Sequence, residues 1–361
     1  MYRDVLRRAL SLLFCLSLVS ETYPCTGITL KAKDGSYVVA RTIEWGGSFL
    51  NSCYVIVPKG YAQRSLLPGN GMYGLSFVSK YGYAGFSVEQ KEFVAEGVNE
   101  AGLSAGLFYF PGYGEYESYN PEYRERTISD LQLVSWVLGN FRNVEEVKSG
   151  IESVHIVGLD KAASTVHWRF ADSDGNQAVL EIIDGKPHFY NNKLGVLTNS
   201  PGFEWQITNL NNYVNLYPGG APAAMLGEVQ VAPFGAGSGF LGLPGDVTPP
   251  SRFVRAAFFQ TSVPQPANAT DAVMGCFQIL NNFDIPTGIE FLRTQPPTPM
   301  PSATQWTSVT DISNRMIYYR TMYNSAIRCI DLKAINFDSI KYAAEPLDTV
   351  RQQPVVYINI E

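Results

Sequence analysis

The sequence predicts an α+β protein in which two sheets pack together and helices cover the outside. Two alternating, β-branched runs at residues 26–32 and 37–43 flank Asp34-Gly35, a pattern typical of a β-hairpin. An apolar stripe with helical spacing runs through residues 129–154, as in helices that bury one face. Strand runs that alternate with paired helices favour sheet-on-sheet packing with the helices outside.

The remaining elements follow from the same patterns, taken in order along the chain. The stripe at 129–154 predicts one or two helices, interrupted near Gly139-Asn140. Further helices are predicted at 205–216, 251–263 and 271–282, the last capped by Thr270. Strands at 165–171, 177–183 and 188–190 form a meander joined by Asp-Gly turns, and residues 306–331 read as another hairpin.

The N-terminal segment predicts export. Three basic residues precede an apolar run at 9–19, the arrangement of a secretory signal peptide: Arg3, Arg7 and Arg8. The run is too short to span a bilayer as a mature helix, and nothing later approaches about 18 continuous apolar residues. We therefore expect residues 1–20 to be a signal peptide and the mature protein to be secreted or periplasmic, without stable membrane insertion.

Cys25 is the residue on which the predicted chemistry depends. Pro24 makes a poor signal-peptidase site, so we expect a second cut, autocatalytic in one version of this hypothesis, that removes residues 21–24. Cys25 then carries a free α-amine whose ordinary pKa is about 7.7 to 8.0, and this amine can take the thiol proton. A lipidated Cys25 is the alternative, although Tyr23 and Pro24 are not the small residues it prefers.

The predicted hairpin brings two charged side chains toward Cys25. If Asp34-Gly35 is a two-residue loop, Cys25 lies opposite Glu44 on the same face of the sheet. Arg41, on the same strand as Glu44, could favour the thiolate because a nearby cation lowers a thiol pKa. In a regular strand the two charged residues face opposite ways, so both serve Cys25 only if a bulge or the end of pairing lies at 42–44.

Composition limits the other classes of function. A net charge of −6 and 17% charged residues describe a mildly acidic globular surface, so we expect no nucleic-acid partner. Four cysteines follow the predicted signal peptide, Cys25, Cys53, Cys276 and Cys329. These four cysteines could form two disulfides. If Cys25 is a nucleophile that must stay reduced, three cysteines are left, and their wide spacing in the sequence is not that of a disulfide-dense scaffold. Cys276 has the helical spacing of a buried hydrophobe. No Cys/His spacing indicates zinc, and the chemistry requires no metal or cofactor.

No linker rich in serine and glycine or in charge divides the chain, so we interpret residues 25–361 as a single domain. Six motifs occur along it: Cys25-Thr-Gly27, Arg41-Thr-Ile-Glu44, Gly97-Val-Asn-Glu-Ala-Gly-Leu103, Gly195-Val-Leu-Thr-Asn199-Ser-Pro201, Gly242-Leu-Pro-Gly-Asp246 and Ser251-Arg252-Phe253. In this order and spacing they resemble the choloylglycine hydrolase family, which includes bile salt hydrolases and penicillin V acylases. The resemblance implies the four-layer α/β/β/α sandwich of N-terminal-nucleophile hydrolases, with two antiparallel sheets between helix layers, and it allows a homotetramer.

The resemblance also implies roles for individual residues. Cys25 corresponds to the nucleophile, Asn199 to the residue that donates its amide to the oxyanion, and Arg252 to a residue that stabilises the transition state. Glu44, where the family more commonly has aspartate, corresponds to the residue that orients the amine. From the residues alone, Asn199 could simply begin a turn before Ser-Pro, Arg252 could be an exposed first-turn helix residue, and Arg41 could be a surface strand residue.

Residues 106–111 depart from the family pattern Gly-Leu-Asn-Phe-Pro, because this chain is one residue longer there and lacks the asparagine. We assign the second oxyanion donor to Tyr109, through its backbone N–H or its hydroxyl, since either can donate to a developing anion. A core aromatic is the alternative for this residue. The three histidines, His155, His167 and His188, are interpreted as solvated or structural.

These observations predict a hydrolase that cleaves a linear, non-peptide C–N amide through a thioester on Cys25, of penicillin V acylase or conjugated bile salt hydrolase type. The aromatic residues 108–110 and Tyr113 favour a bulky apolar acyl group in a small amphipathic amide substrate. Two alternatives remain at this point. One is an N-acyl homoserine lactone acylase, and the other is a catalytically silent secreted binder of amphipathic ligands on the same scaffold.

Overall fold

The computed structural model describes residues 24–46, 48–69, 71–160, 164–291 and 302–360. The predicted signal peptide at 1–20 and residues 21–23 lie outside them. The strands within these ranges are β1 Cys25–Lys31, β2 Tyr37–Trp45, β3 Cys53–Val57, β4 Ala62–Leu66, β5 Tyr73–Val78, β6 Tyr83–Val88, β7 Gln90–Asn99, β8 Leu103–Tyr109, β9 Thr127–Ser129, β10 His155–Val157, β11 Val166–Asp172, β12 Gln177–Ile183, β13 Lys186–Asn191, β14 Ala224–Leu226, β15 Val229–Val231, β16 Ala303–Asp311, β17 Met316–Thr321, β18 Asn324–Asp331 and β19 Ala343–Pro346. The helices are α1 Leu133–Asn140, α2 Val144–Ile151, α3 Phe203–Asn209, α4 Pro249–Ser262 and α5 Ala269–Leu280.

Two antiparallel sheets form the centre of the molecule. The first has the strand order β1-β2-β16-β17-β18, and the second has the order β13-β12-β11-β8-β7-β6-β3-β19. Helices α4 and α5 pack on the first sheet, against β1, β2 and β16, whereas α1 and α2 pack on the second, against β7, β8 and β11. The molecule is therefore the predicted α/β/β/α sandwich, and the α+β fold class is confirmed.

The helix predictions hold to within a few residues. The stripe at 129–154 forms α1 and α2, and the break between them ends at Asn143, whose side chain accepts the Glu146 N–H and caps α2. The predicted cap of α5 was wrong, because Asn268 rather than Thr270 accepts the Asp271 N–H there. Within the described part of the chain, no helix is both long and apolar enough to cross a membrane.

The meander predicted near residues 165–190 is confirmed as β11, β12 and β13. The hairpin predicted at 306–331 instead forms three strands, β16, β17 and β18. The added turn lies between Thr321 and Asn324, which still pair across it. A 26-residue stretch is long for two strands, since strands usually contain about 5–6 residues.

The register predicted for the β1–β2 hairpin was wrong by one residue. Cys25 pairs with Ile43 rather than with Glu44. The loop contains three residues instead of two, because the Ala32 N–H donates to the carbonyl of Ser36 at 2.9 Å. Three-residue loops commonly end with a residue of positive φ, and Gly35 has a φ of 90° here.

The corrected register decides which side chains share a face with the thiol. Because side chains alternate along a strand, pairing with Ile43 puts Arg41 on the face of Cys25 and Glu44 on the opposite face. The bulge expected at 42–44 does not interrupt β2, and the register shift lies instead in the neighbouring β16, between Thr304 and Trp306. No bulge in β2 is needed to bring Arg41 to the sulfur.

Candidate active site

Cys25 begins β1 and is almost completely buried, with 3% of its surface exposed. Its side chain enters the space between the sheets, where Arg41 Nη2 donates to its Sγ at 2.9 Å. The Arg41 guanidinium lies 4.1 Å from the ring centre of Phe108 and also donates to the carbonyl oxygens of Ala95 and Leu107. The surface-residue alternative for Arg41 is therefore wrong, since its charge is fixed against the sulfur by both sheets.

Asn199 reaches Cys25 because the segment before it runs along the free edge of β1. Gly27 and Leu197 exchange two backbone hydrogen bonds, of 2.7 and 3.1 Å, and this antiparallel bridge puts Asn199 opposite Cys25. Asn199 Oδ1 accepts the Cys25 N–H at 2.7 Å, and its Nδ2 donates to the carbonyl of Tyr109 at 2.7 Å. Asn199 thus connects the nitrogen of Cys25 to the end of β8.

Arg252 lies in the first turn of α4 and is fully buried, so the exposed-residue alternative is wrong. Its Nη2 donates to Asn199 Oδ1 at 2.7 Å. Its Nη1 donates to Thr26 Oγ1 at 2.8 Å and to the carbonyl of Cys25. A cation in a first helical turn opposes the helix dipole, and here these acceptors compensate it.

Tyr109 is the last residue of β8, and its backbone N–H hydrogen-bonds to the Cys25 thiol, which lowers the pKa of that thiol. The same residue accepts from Asn199 through its carbonyl. Of the two donors predicted for Tyr109, the structure places the backbone N–H at the sulfur.

Glu44 is buried on the other face of β2, with 1% of its surface exposed. Its Oε1 accepts from Thr304 Oγ1 at 2.9 Å, and its Oε2 has no hydrogen-bond partner within the described ranges. The Cys25 N–H is donated to Asn199, so the predicted contact between Glu44 and this nitrogen is not present in the uncut chain. Instead, the Glu44 N–H donates to the carbonyl of Pro24 at 3.0 Å.

The thiol of Cys25 holds its proton in this arrangement. Burial is the main cause that raises the thiol pKa above its ordinary value, and Glu44 adds to it, whereas Arg41 and Arg252 oppose it. Attack on the carbonyl of a separate substrate therefore requires a base. The nitrogen of Cys25 is an amide while Pro24 precedes it, and an amide nitrogen is not a base for that step, so the base for a substrate becomes available only when the bond to Pro24 is cut.

Glu44→Gln is expected to remove a pH dependence from the stability of the uncut chain. Burial raises the pKa of Glu44 from 4.5 to about 8 in the folded state. The folded carboxyl then keeps a proton that the unfolded chain releases, so stability falls as the pH rises from 4.5 to about 8. Glutamine has no proton to release, and its curve should be flatter in this window.

Urea unfolding across that pH window measures the effect. Both proteins carry Cys25→Ser so that the bond before residue 25 stays intact. Glu345→Gln, which changes an exposed carboxylate on β19, is the matched control and should follow the parent curve. Parallel curves for Glu44→Gln and its parent would contradict a raised pKa at Glu44.

Two buried charged residues beside this site were not anticipated from the sequence. Glu96 and Arg169 extend from the second sheet toward Arg41, and each is 1% exposed. Two glycines inside strands could have indicated these residues, because a glycine in a strand interior often marks a site that another group approaches closely. A Cβ at Gly106 would lie 2.1 Å from Glu96 Oε2, and one at Gly27 would lie 2.9 Å from Arg169 Nη1.

Of the three histidines, His167 is buried, whereas His155 is partly exposed and His188 is exposed. His167 is fully buried between Glu181 Oε1 at 3.1 Å and the carbonyl of Thr198 at 3.0 Å, a structural role. Phe108 lies under Arg41 and Phe110 stacks on His167 at 4.4 Å, and both are fully buried. Residues 109 and 113 are therefore the members of the predicted aromatic cluster that keep exposed surface.

Metal ligation is not indicated at this site. In the parts of the chain that the structure covers, no group of three or more His, Cys, Asp or Glu side chains is placed to hold a metal ion. The groups around Cys25 are instead hydrogen-bond donors and cations, which suit a developing anion.

The four-layer sandwich, with a cysteine that opens its first strand between the two sheets, is the fold of the N-terminal-nucleophile hydrolases. The family model described as linear amide C–N hydrolases, choloylglycine hydrolase family, matches residues 25–344. The bile salt hydrolase/transferase of Clostridium perfringens is 32% identical over 87% of this chain and 94% of its own length. The penicillin V acylase of Pectobacterium atrosepticum is 27% identical over 89% of this chain and 83% of its own length.

A crystal structure of a mutant conjugated bile acid hydrolase from Clostridium perfringens superposes with a TM-score of 0.80 at 29% identity, covering 93% of this chain and all of that one. The chain belongs to the choloylglycine hydrolase family. It is a hydrolase of C–N bonds in linear amides.

Proposed function

We propose that this chain is an N-terminal-cysteine amidohydrolase of bile salt hydrolase or penicillin V acylase type, active once the residues before Cys25 are removed. The observation that carries the proposal is the environment of Cys25. Its Sγ lies 2.9 Å from Arg41 Nη2 and its nitrogen lies 2.7 Å from Asn199 Oδ1. A chain that begins there holds nucleophile and base in one residue, each with a fixed partner.

Removal of the upstream residues can use the same thiol. The Pro24 carbonyl oxygen accepts the Glu44 N–H at 3.0 Å, and this contact stabilises the negative charge that develops when Cys25 Sγ attacks the carbonyl carbon. The C–N bond between Pro24 and Cys25 breaks, its nitrogen gains the thiol proton to become the α-amine, and a thioester forms. Water then hydrolyses the thioester and leaves Cys25 as the first residue.

The free α-amine supports the hydrolysis of a substrate amide. The cations Arg41 and Arg252 lower the pKa of an amine held at Asn199 Oδ1, so that more of it is neutral and able to take the thiol proton. Sγ attacks the substrate carbonyl, and the Tyr109 N–H with Asn199 Nδ2 donates to the oxyanion. One such donor contributes about 3 kcal/mol.

The acyl group then remains on Cys25 as a thioester while the amine product departs. The Cys25 α-ammonium gives its proton to the departing amine as the C–N bond breaks. The same α-amine then accepts a proton from the water that attacks the thioester, so one group serves both half-reactions. Glu44, buried behind the strand, is the carboxyl that can orient the ammonium once the bond to Pro24 is gone.

The substrate proposed is a small amphipathic amide with an apolar acyl group. The matched relatives are named for bile salts and for penicillin V, and both compounds carry such an acyl group. Tyr109, whose N–H hydrogen-bonds to the Cys25 thiol, keeps some exposed surface, and Tyr113, four residues later, has 54% of its surface exposed, so both offer aromatic surface to such a group. Export to the periplasm or medium and a homotetrameric state stay predictions.

Two measurements test the proposal together. Intact mass of the purified protein should show a chain that begins at Cys25. That protein should hydrolyse at least one member of a panel of glycocholate, taurocholate, penicillin V and a long-chain N-acyl homoserine lactone. A chain that keeps residues before Cys25 and hydrolyses none of them would contradict the proposal and favour the binding-protein alternative.

A further inference from the structure

An ion pair that the proposed reaction does not use lies across the inter-sheet space from Cys25. Glu96 on β7 and Arg169 on β11 both pair with Gly106 of β8, which lies between them. Because Gly106 has no side chain, the two charged groups meet over it, with Arg169 Nη2 3.0 Å from Glu96 Oε1. Both side chains are about 1% exposed, so water does not screen the pair.

The Glu96 carboxylate is divided unequally between two arginines. Its Oε1 is hydrogen-bonded to Arg169, whereas its Oε2 lies 3.7 Å from Arg41 Nη1 and makes no hydrogen bond within the described ranges. Arg169 is itself anchored, because its Nη1 donates to the carbonyl oxygens of Ala40 at 3.1 Å and Ile28 at 3.4 Å in the first sheet. The hydrogen bond to Arg169 therefore keeps the Glu96 carboxylate from moving into hydrogen-bond distance of Arg41.

The cluster of Arg41, Arg169 and Glu96 has a net charge of about +1 when all three groups are ionised. Arg41 and Arg169 contribute two cations against the single carboxylate of Glu96, in a region with a low dielectric. Arg41 Nη2 remains bound to Cys25 Sγ at 2.9 Å. A thiolate at Cys25 would neutralise the excess, so the cluster favours the ionised nucleophile.

We propose that Arg169 is a positioning residue for the reaction, which keeps the Arg41 guanidinium available to the Cys25 sulfur by holding Glu96 away from it. The proposal rests on the proposed role of Cys25 as the nucleophile. Without Arg169, the Glu96 carboxylate would turn fully to Arg41 and neutralise its charge. The competing explanation is that Arg169 only joins the two sheets.

The other charged groups around the cluster do not account for the same effect. Cys25 is faced by Arg41 and Glu44 from β2 and by Arg252 from α4. Arg169 is faced by Glu96, Arg41 and Cys276 of α5. Burial raises the pKa of Cys276 far above its usual range, so that thiol adds no charge near neutral pH. Glu96 is thus the anion through which Arg169 acts.

The test is the pH dependence of Cys25 alkylation by iodoacetamide in the processed protein, followed by mass spectrometry of the N-terminal peptide. Arg169→Met should raise the apparent pKa of the Cys25 thiol by about one unit and lower kcat with little change in KM. Glu96→Gln should lower that pKa. The double variant, which again leaves one excess cation, should return the pKa to near the wild-type value and recover most of kcat.

Arg320→Met is the matched control. Arg320 forms an ion pair with Asp284 at 2.6 Å near the surface, and its loss should not change the Cys25 pKa. An unchanged pKa in Arg169→Met, or a double variant no closer to wild type than Arg169→Met, would overturn the proposal in favour of a structural connection.

Two features keep the test decisive. If Arg169→Met alone does not fold, because it leaves Glu96 buried and less well paired, Glu96→Gln and the double variant decide. An unchanged or raised pKa in Glu96→Gln then overturns the proposal. Alkylation needs no amide substrate, so a processed protein that hydrolyses no member of the panel can still be used to test Arg169, and the failure of the two proposals can be told apart.

Discussion

Cys25→Ser is expected to lower amide hydrolysis by about 10³-fold or more and to leave the chain uncut before residue 25. A hydroxyl is far less ionised than a thiol near neutral pH, so the nucleophile is much weaker, and a chain that stays uncut also lacks the α-amine that would act as its base. Among the residues that the structure describes, the groups that hydrogen-bond to Cys25 Sγ are the Arg41 guanidinium and the Tyr109 N–H, and neither is a base. Turnover with the substrate found in the panel and the intact mass of the protein measure the two effects.

Cys276→Ala is the matched control for that variant. Cys276 lies on α5, is fully buried, and belongs to the hydrophobic core. Its replacement should cost about 1 kcal/mol of stability and leave kcat and processing unchanged. Cys25→Ser with wild-type turnover would end the mechanism proposed for this chain.

Arg41→Ala is expected to lower kcat by about 10²-fold or more, in line with the loss of a transition-state donor. The thiol would lose its nearest cation, and burial would then raise its pKa further. Arg41→Lys separates two contributions, because lysine keeps the charge but not the planar fork. We expect only a small recovery, since Arg41 uses Nε, Nη1 and Nη2 on different acceptors.

The measurement is kcat and KM for wild type, Arg41→Ala and Arg41→Lys, with unfolding curves to show that each protein is folded under assay conditions. Arg320→Lys, a change at an ion pair near the surface, should leave both constants unchanged. Activity of Arg41→Ala within about twofold of wild type would remove Arg41 from the mechanism. Nearly full recovery in Arg41→Lys would show that charge alone is required.

Several features of this protein are determined by its sequence because they depend on local patterns. Alternation of side chains and turn residues act over a few positions, so the strands and helices could be located before the structure was known. The motifs around Cys25, Arg41, Asn199 and Arg252 selected residues that the fold brings within hydrogen-bond distance of one another. Tyr109 was also selected from the sequence, and its backbone N–H hydrogen-bonds to the Cys25 thiol, whereas its role as the second oxyanion donor stays a prediction.

The tertiary structure decided what local patterns could not. Two- and three-residue loops both suit Asp34-Gly35, yet they give pairing registers of β1 and β2 that differ by one residue. This shift exchanges the faces of the sheet on which Arg41 and Glu44 lie relative to Cys25. Packing between the sheets selected the longer loop. It also buried Phe108 beneath Arg41 and paired Glu96 with Arg169 over a glycine, because contacts between residues distant in sequence depend on which strands become neighbours.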